Sequence, residues 1–332
     1  MIVSTIKYPS ISAKLKGMYS KKIKGNDIID LYKQDNLKSI IAILKNKDQN
    51  LKSLDENADR QQIEKLLNLE IIYDIEKIVK YLDKSDKKIF NAIISKYEIE
   101  CIKRAIRLIY SQNKYDENIQ VWTSTVFKNL KGMESVTNMQ QLYKIIDNPD
   151  YKKVLKKYLN DDKVQINILE LENEFDKLYF NKIYNSINNK DMKKMIGHKI
   201  DFSNILWIYR LKEYYKFSEE ELRKFLIKDY YLISKNEIDD IVKSKNISGM
   251  NDVLKKTPYK DLIYDNIYDL ECATRKYLKQ LYTKNFQSRF ASISNIYSYF
   301  NLIEMHNSDI IGIVEAIRYG VDKERLLKKL LI

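Results

Sequence analysis

The chain has 332 residues, 44% of them hydrophobic, and a formal net charge of +13, enough for two or three domains with a substantial core. Seven glycines and three prolines leave little for strand turns or phosphate loops. Neither G-x-G-x-x-G nor G-x-x-x-x-G-K-[ST] occurs among Gly17, Gly25, Gly132, Gly197, Gly249, Gly312 and Gly320, which excludes most ATPases, kinases and dehydrogenases.

In chain order, "MIVSTIKYPSISAKLKG" lacks a continuous apolar run, so no secretory signal is expected. No later window approaches the ~18 uninterrupted apolar residues of a membrane span, and a soluble protein is expected. Helical periodicity then dominates. In "IEKLLNLEIIYDIEKIVKYL" (63–82), Ile63, Leu66, Leu67, Glu70, Ile71, Asp74, Ile75, Ile78 and Leu82 recur at steps of three and four. "NEIDDIVKSKN", "LECATRKYLKQLY" and "DIIGIVEAIRYG" behave likewise, and strict alternation is rare. The predicted fold class is all-α. Ser218 with Glu221 forms a capping box, and Phe217 is placed to staple onto Leu222. "VDKERL" at 321 repeats "FSEEEL" at 217 with a shift of 104, although Arg325 stands where the box calls for Glu.

Other landmarks recur at the same distance. "VLKKYL" at 154 and "VLKKTPY" at 253 lie 99 residues apart, and Leu-Glu pairs stand at 69–70, 171–172 and 270–271. Glu98, Cys101, Ile102, Ile106 and Arg107 match Asp201, Asn204, Ile205, Tyr209 and Arg210 with one shift of 103. In the third copy Asp309 aligns either with Asn204, shift 105, or with Asp201, shift 108. Neighbouring shifts of 99 and 104 favour 105 and make Arg318 a coincidence. Three divergent helical bundles are therefore predicted, over 1–115, 116–230 and 231–332, with joints near 113–118 and 228–236. Three similar bundles in one chain fit a ring or funnel of approximate threefold pseudo-symmetry.

With these copies in place, the chain resembles the C subunit family of archaeal and bacterial A/V-type ATPases, whose vacuolar members are known as the d subunit. The stretches that carry the resemblance are "YPSISAKLKGM" (8–18), "EIECIKRAIR" (98–107), "DFSNILWIYR" (201–210), "VLKKTPY" (253–259) and "FQSRFASISNIYSYFNLIEMHNSDIIGIVEAIRYGVDKERL" (286–326). Cys101 and Asp309 stand where the family tends to have Asn, and the arginine expected near Glu315 is absent. The resemblance implies a non-catalytic central-stalk subunit of the rotor. It would couple the shaft subunits D and F to the membrane proteolipid ring, with peripheral attachment at the cytoplasmic face and no cofactor, metal, small-molecule substrate or nucleic acid. In isolation it is expected to be monomeric.

The residues themselves offer two alternatives to that reading. A basic, all-helical scaffold could bind nucleic acid, but the positive charges are scattered among acids. An all-α enzyme would need facing aspartate-rich motifs, and DDxxD is absent. Glu98, Arg107, Asp201, Arg210 and Asp309 are the candidate interface or inter-domain residues. In one helix a residue nine positions on lies roughly opposite the first, so Glu98 cannot pair with Arg107 in its own helix. These charges are expected either to meet partners across the joints or on the shaft, or to be solvated helix ends. His198 and His306 read as surface or capping histidines near helix boundaries, and Trp122 and Trp207 as core or joint packing. Asp161-Asp162 and Asp239-Asp240 are adjacent and so diverge. Cys101, among apolar neighbours, reads as buried.

Overall fold

The structure, a computed structural model, describes residues 9–111, 117–127, 130–159, 168–289 and 291–331. Most of the expected joint at 113–118, and the Asp161-Asp162 pair, lie outside them. The described residues form helices and short turns and contain no strand. The helices are α1 (Pro9–Ser20), α2 (Asn26–Tyr32), α3 (Leu37–Lys47), α4 (Arg60–Val79), α5 (Lys84–Ser111), α6 (Glu117–Thr125), α7 (Met139–Ile145), α8 (Pro149–Lys156), α9 (Ile168–Ser186) and α10 (Lys190–Arg210). They continue with α11 (Glu219–Phe225), α12 (Lys235–Lys243), α13 (Ile247–Leu254), α14 (Ile267–Phe286), α15 (Ile293–Tyr319) and α16 (Lys323–Lys329).

Local sequence sets the helix ends. Ser218 and Glu221 make the expected capping box at α11, and Asp59 with Gln62, Ser234 with Glu237 and Ser292 with Asn295 do the same for α4, α12 and α15. Each satisfies backbone N–H groups that the first turn leaves without a partner. Phe217 packs on Phe225, with ring centroids 5.6 Å apart. Gly320 closes α15 in the left-handed conformation (φ 62°), where a Cβ would be strained.

Three long helix pairs organise the chain: α4/α5, α9/α10 and α14/α15. The second helix of each pair packs on the first helix of the next: α5 on α9, α10 on α14, and α15 back on α4. All of these packings are antiparallel. Lys103–Asp176 and Arg107–Glu172 fix the direction of α5 on α9; Phe202–Tyr277 and Arg210–Glu271 that of α10 on α14; Tyr299–Asp74 and Glu315–Arg60 that of α15 on α4. The α9/α10 and α14/α15 pairs are packed hairpins, and the Glu64–Arg104 ion pair shows that α4 and α5 also run antiparallel, so α5, α10 and α15 run in the same direction. The α6 helix, which follows the first expected joint, packs back on α4 and α5.

One contiguous core reaches from Ile11 to Ile303 across all three pairs. A second core joins Ile28, Leu31, Ile40, Leu44 and Leu67 to Ile310, Ile313 and Leu326, tying α2, α3 and α4 to the end of α15 and to α16.

Candidate functional site at the joints

Asp201 is fully buried in α10. Its carboxylate accepts the backbone N–H of Tyr231 (3.0 Å), Leu232 (2.8 Å) and Ile233 (3.3 Å) and the hydroxyl of Tyr259 (2.8 Å). The non-helical segment before α12 offers these N–H groups no helical partner, and one acid serves three of them. Burial pushes the Asp201 carboxyl above its ordinary value, against the pull of the four hydrogen bonds. Tyr259 gives its only hydroxyl proton to Asp201, so His198, 2.9 Å away through Nδ1, must donate to it. Burial lowers His198 to about 4, so the ring is neutral.

Three residues on from Asp201, Asn204 accepts the N–H of Ile227 at 2.9 Å and donates to its carbonyl at 2.8 Å. Asp309 makes the corresponding contact in the third copy. It accepts the N–H of Leu331 at 3.1 Å and the Arg275 guanidinium at 3.1 Å, while Arg275 also donates to the Lys329 carbonyl at 3.3 Å. Ile227 and Leu331 are 104 residues apart, and Asn204 and Asp309 are 105 apart. Asp309 thus stands where Asn204 does. Cys101, the first-copy residue at this position, is buried at 1% exposure.

The arginines lie farther out on the same helices. Arg107 grips Glu172 through two nitrogens, at 2.7 and 3.0 Å, and also reaches Glu100 at 3.0 Å. Arg210 reaches Glu271 at 3.5 Å. Glu172 and Glu271 are the glutamates of the recurring Leu-Glu pairs. At the closing contact the polarity reverses, because Glu315, 105 residues after Arg210, meets Arg60 at 3.1 Å. Glu98 accepts the hydroxyl of Tyr151 at 2.8 Å. Trp122 stacks on Tyr97 at 4.7 Å, and Trp207 packs on Phe225 at 5.8 Å.

The histidines differ from the sequence expectation. His198 and His306 lie inside long helices, 2% and 3% exposed, and each meets a tyrosine hydroxyl, Tyr259 and Tyr19 respectively. Burial holds both near 4.

Sequence reasoning also missed a buried cluster. Lys22 lies between Glu70 (2.6 Å) and Asp74 (2.7 Å), Tyr299 donates to Asp74 at 2.5 Å, and Asn50 donates to Glu70 at 3.0 Å. Lys22, Glu70, Asp74 and Asp48 are each at most 6% exposed. Burial, reinforced by the nearby Asp48 carboxyl, pushes Glu70 up to about 7 despite Lys22. A cavity of about 250 Å³ between α4, α5, α6 and α15 is lined by Glu64, Tyr97, Glu100, Arg104, Trp122 and Glu304.

Among the described residues no three His, Cys, Asp or Glu side chains are grouped to hold a metal ion. None of the described helices is long and apolar enough to cross a membrane. The charged side chains that do converge clamp backbone and bridge helices.

Fold and site together define an all-helical protein whose charged groups bridge its long helices and clamp the segments between them. The chain belongs to the ATP synthase (C/AC39) subunit family, whose profile matches residues 11–329. It is similar to the C subunit of the A-type ATP synthase of Pyrococcus abyssi, 23% identical over 96% of this chain and 88% of that protein. The proteins of the same name from Methanocaldococcus jannaschii and Pyrococcus horikoshii are 22% and 20% identical, over 82% and 97% of this chain and 70% and 84% of theirs.

Proposed function

We propose that this chain is the non-catalytic central-stalk subunit of a rotary A/V-type ATPase. In this reading the three helix pairs, with units near 1–115, 116–230 and 231–332, form a funnel of approximate threefold pseudo-symmetry. One end of the funnel receives the shaft subunits D and F, and the other rests on the membrane proteolipid ring at the cytoplasmic face. The observation that carries the reading is the cyclic order of packing, α5 on α9, α10 on α14 and α15 on α4, in a chain that matches the family over nearly its whole length. A torque coupling needs a body whose parts cannot slide past one another, and the clamps at Asp201, Asn204 and Asp309 supply that. Arg107, Arg210 and Glu98 then act between units rather than on a substrate.

The test is co-purification of the full chain with the D and F subunits encoded by the same organism. A stoichiometric complex that also retains the detergent-solubilised proteolipid ring is expected. Failure of the folded chain to bind the shaft pair overturns the proposal.

A further inference from the structure

We propose that α1 is a proton-linked strap, held down on α4 while a single proton is shared between the Glu70 and Asp48 carboxyls and loosened when that proton leaves. The Asp48 carboxyl, at the head of the 3₁₀ turn Gln49–Leu51, hydrogen-bonds Glu70 of α4. Asp48 also accepts the backbone N–H of Asn50 at 2.8 Å, and the Asn50 amide donates to Glu70 at 3.0 Å. Ionised carboxylates only accept, so a hydrogen bond between two carboxyls exists only while one of them is protonated. The pair is buried beside Asp74 and one cation, Lys22, which answers Glu70 at 2.6 Å and Asp74 at 2.7 Å. Tyr299 of α15 donates to Asp74 at 2.5 Å from the other side.

Lys22 follows directly on α1, and α1 covers the cluster. A cavity of about 340 Å³ separates α1 from α4; Lys22, Glu70 and Asp74 line it together with Lys14, Lys21 and Lys77, which are exposed. Only Ile11 and Leu15 of α1 are buried. Tyr19 adds a packing contact with Phe286, 4.9 Å between centroids, and a hydrogen bond with His306 at 3.0 Å. A helix with so few buried apolar residues belongs to the low-stability end of a fold. Ile23, by contrast, is part of the second core, so the chain is anchored just after Lys22 and α1 can lift without disturbing α2. Lifting carries Lys22 away and lets water reach both carboxyls, which then need no shared proton.

The sign follows from where the proton binds more tightly. With α1 down, burial and the Asp48 carboxyl push Glu70 up to about 7, against an ordinary 4.5 in water. Docking is therefore strongest below about pH 4.5, weakens about tenfold per pH unit up to 7, and is level above. His306, held near 4 by burial, and Tyr299, raised by burial, do not change charge across this window.

Amide hydrogen exchange of the full chain at pH 5, 6, 7 and 8, converted to protection factors, tests this. Protection over residues 9–20 is expected to lie well below that of α9, the mark of a local opening, and to fall about tenfold per unit from pH 5 to 7 before levelling. Glu70→Gln, whose amide donates to Asp48 with no proton to lose, is expected to abolish that slope and keep α1 protected at pH 8. Should that chain fail to fold, Asp48→Asn serves, because its amide donates to the Glu70 carboxylate and likewise removes the need for a shared proton. Protection of α1 equal to that of α9, a wild-type α1 indifferent to pH, or a slope that survives in the folded variant overturns the proposal.

Discussion

The contact between the second and third helix pairs and the contact that closes the third pair onto the first use charge in opposite ways. At the former, no cation among the described residues pairs with the buried acid Asp201. It is satisfied by backbone N–H groups and a tyrosine, and the arginine of the joint, Arg210, stays in the solvent-facing bridge to Glu271. At the latter, the surface bridge is reversed to Glu315–Arg60, and a lysine with three acids is sealed inside, roped by Tyr299 to α15. Hydrogen bonds to neutral donors satisfy an acid without importing another charge. An ion cluster depends on every member, and removal of one leaves the others exposed to the low dielectric. The two joints should therefore fail at different thresholds.

The largest effect is expected at the closure. Lys22→Ala leaves buried carboxylates without their cation and should cost about 3–5 kcal/mol in urea unfolding. A loss below about 1 kcal/mol would show that the cluster is solvated. Asp201→Ala strands three backbone donors and a hydroxyl and should cost about 2–4 kcal/mol, and Asp201→Asn distinctly less. Gly197→Ala attacks the same joint by volume, because its Cβ would collide with the Tyr231 ring. Overpacking of this kind costs about 1–3 kcal/mol, and Tyr231→Ala in the same chain should recover part of it.

A subtler distinction lies in pH. Glu70 titrates near 7 when folded against an ordinary 4.5, so the folded chain holds the extra proton between those values. Its contribution to stability is complete below about pH 4.5 and falls as pH rises to 7. Glu70→Gln should flatten that part of a Tm-versus-pH curve, and superimposable curves would refute the assignment. Smallest of all, Arg210→Ala should change stability by less than about 1 kcal/mol, detectable only at low salt.

What was legible in the sequence was what neighbouring residues decide. The Ser218–Glu221 box and the apolar stripe of 63–82 depend on spacings of three and four; the box appears as read, and the stripe holds from Ile63 to Ile78 in a helix that ends at Val79, short of Leu82. Asp309 and Asn204, aligned by the preferred shift of 105, each accept a backbone N–H. The targets of these side chains were not legible, since Asp201 reaches backbone 30 or more residues away whose exposure depends on how that segment bends. The histidines were misplaced for the same reason: the hydroxyl beside His306 belongs to Tyr19, 287 residues earlier. Lys22 sits in "KKIK", which has the composition of a surface patch. Only the fold brings Glu70 and Asp74 over it.

The second core, in which Ile28, Leu31 and Ile40 lie against Ile310 and Ile313, bears on how the molecule is made. During vectorial synthesis the apolar sides of α2 and α3 emerge long before their cover, and must stay uncovered until α15 has cleared the ribosome. Contacts of such separation are slow to form and leave the unfinished chain prone to sticking. Truncation anywhere before residue 310 should therefore yield an insoluble product, even though most of the chain is present.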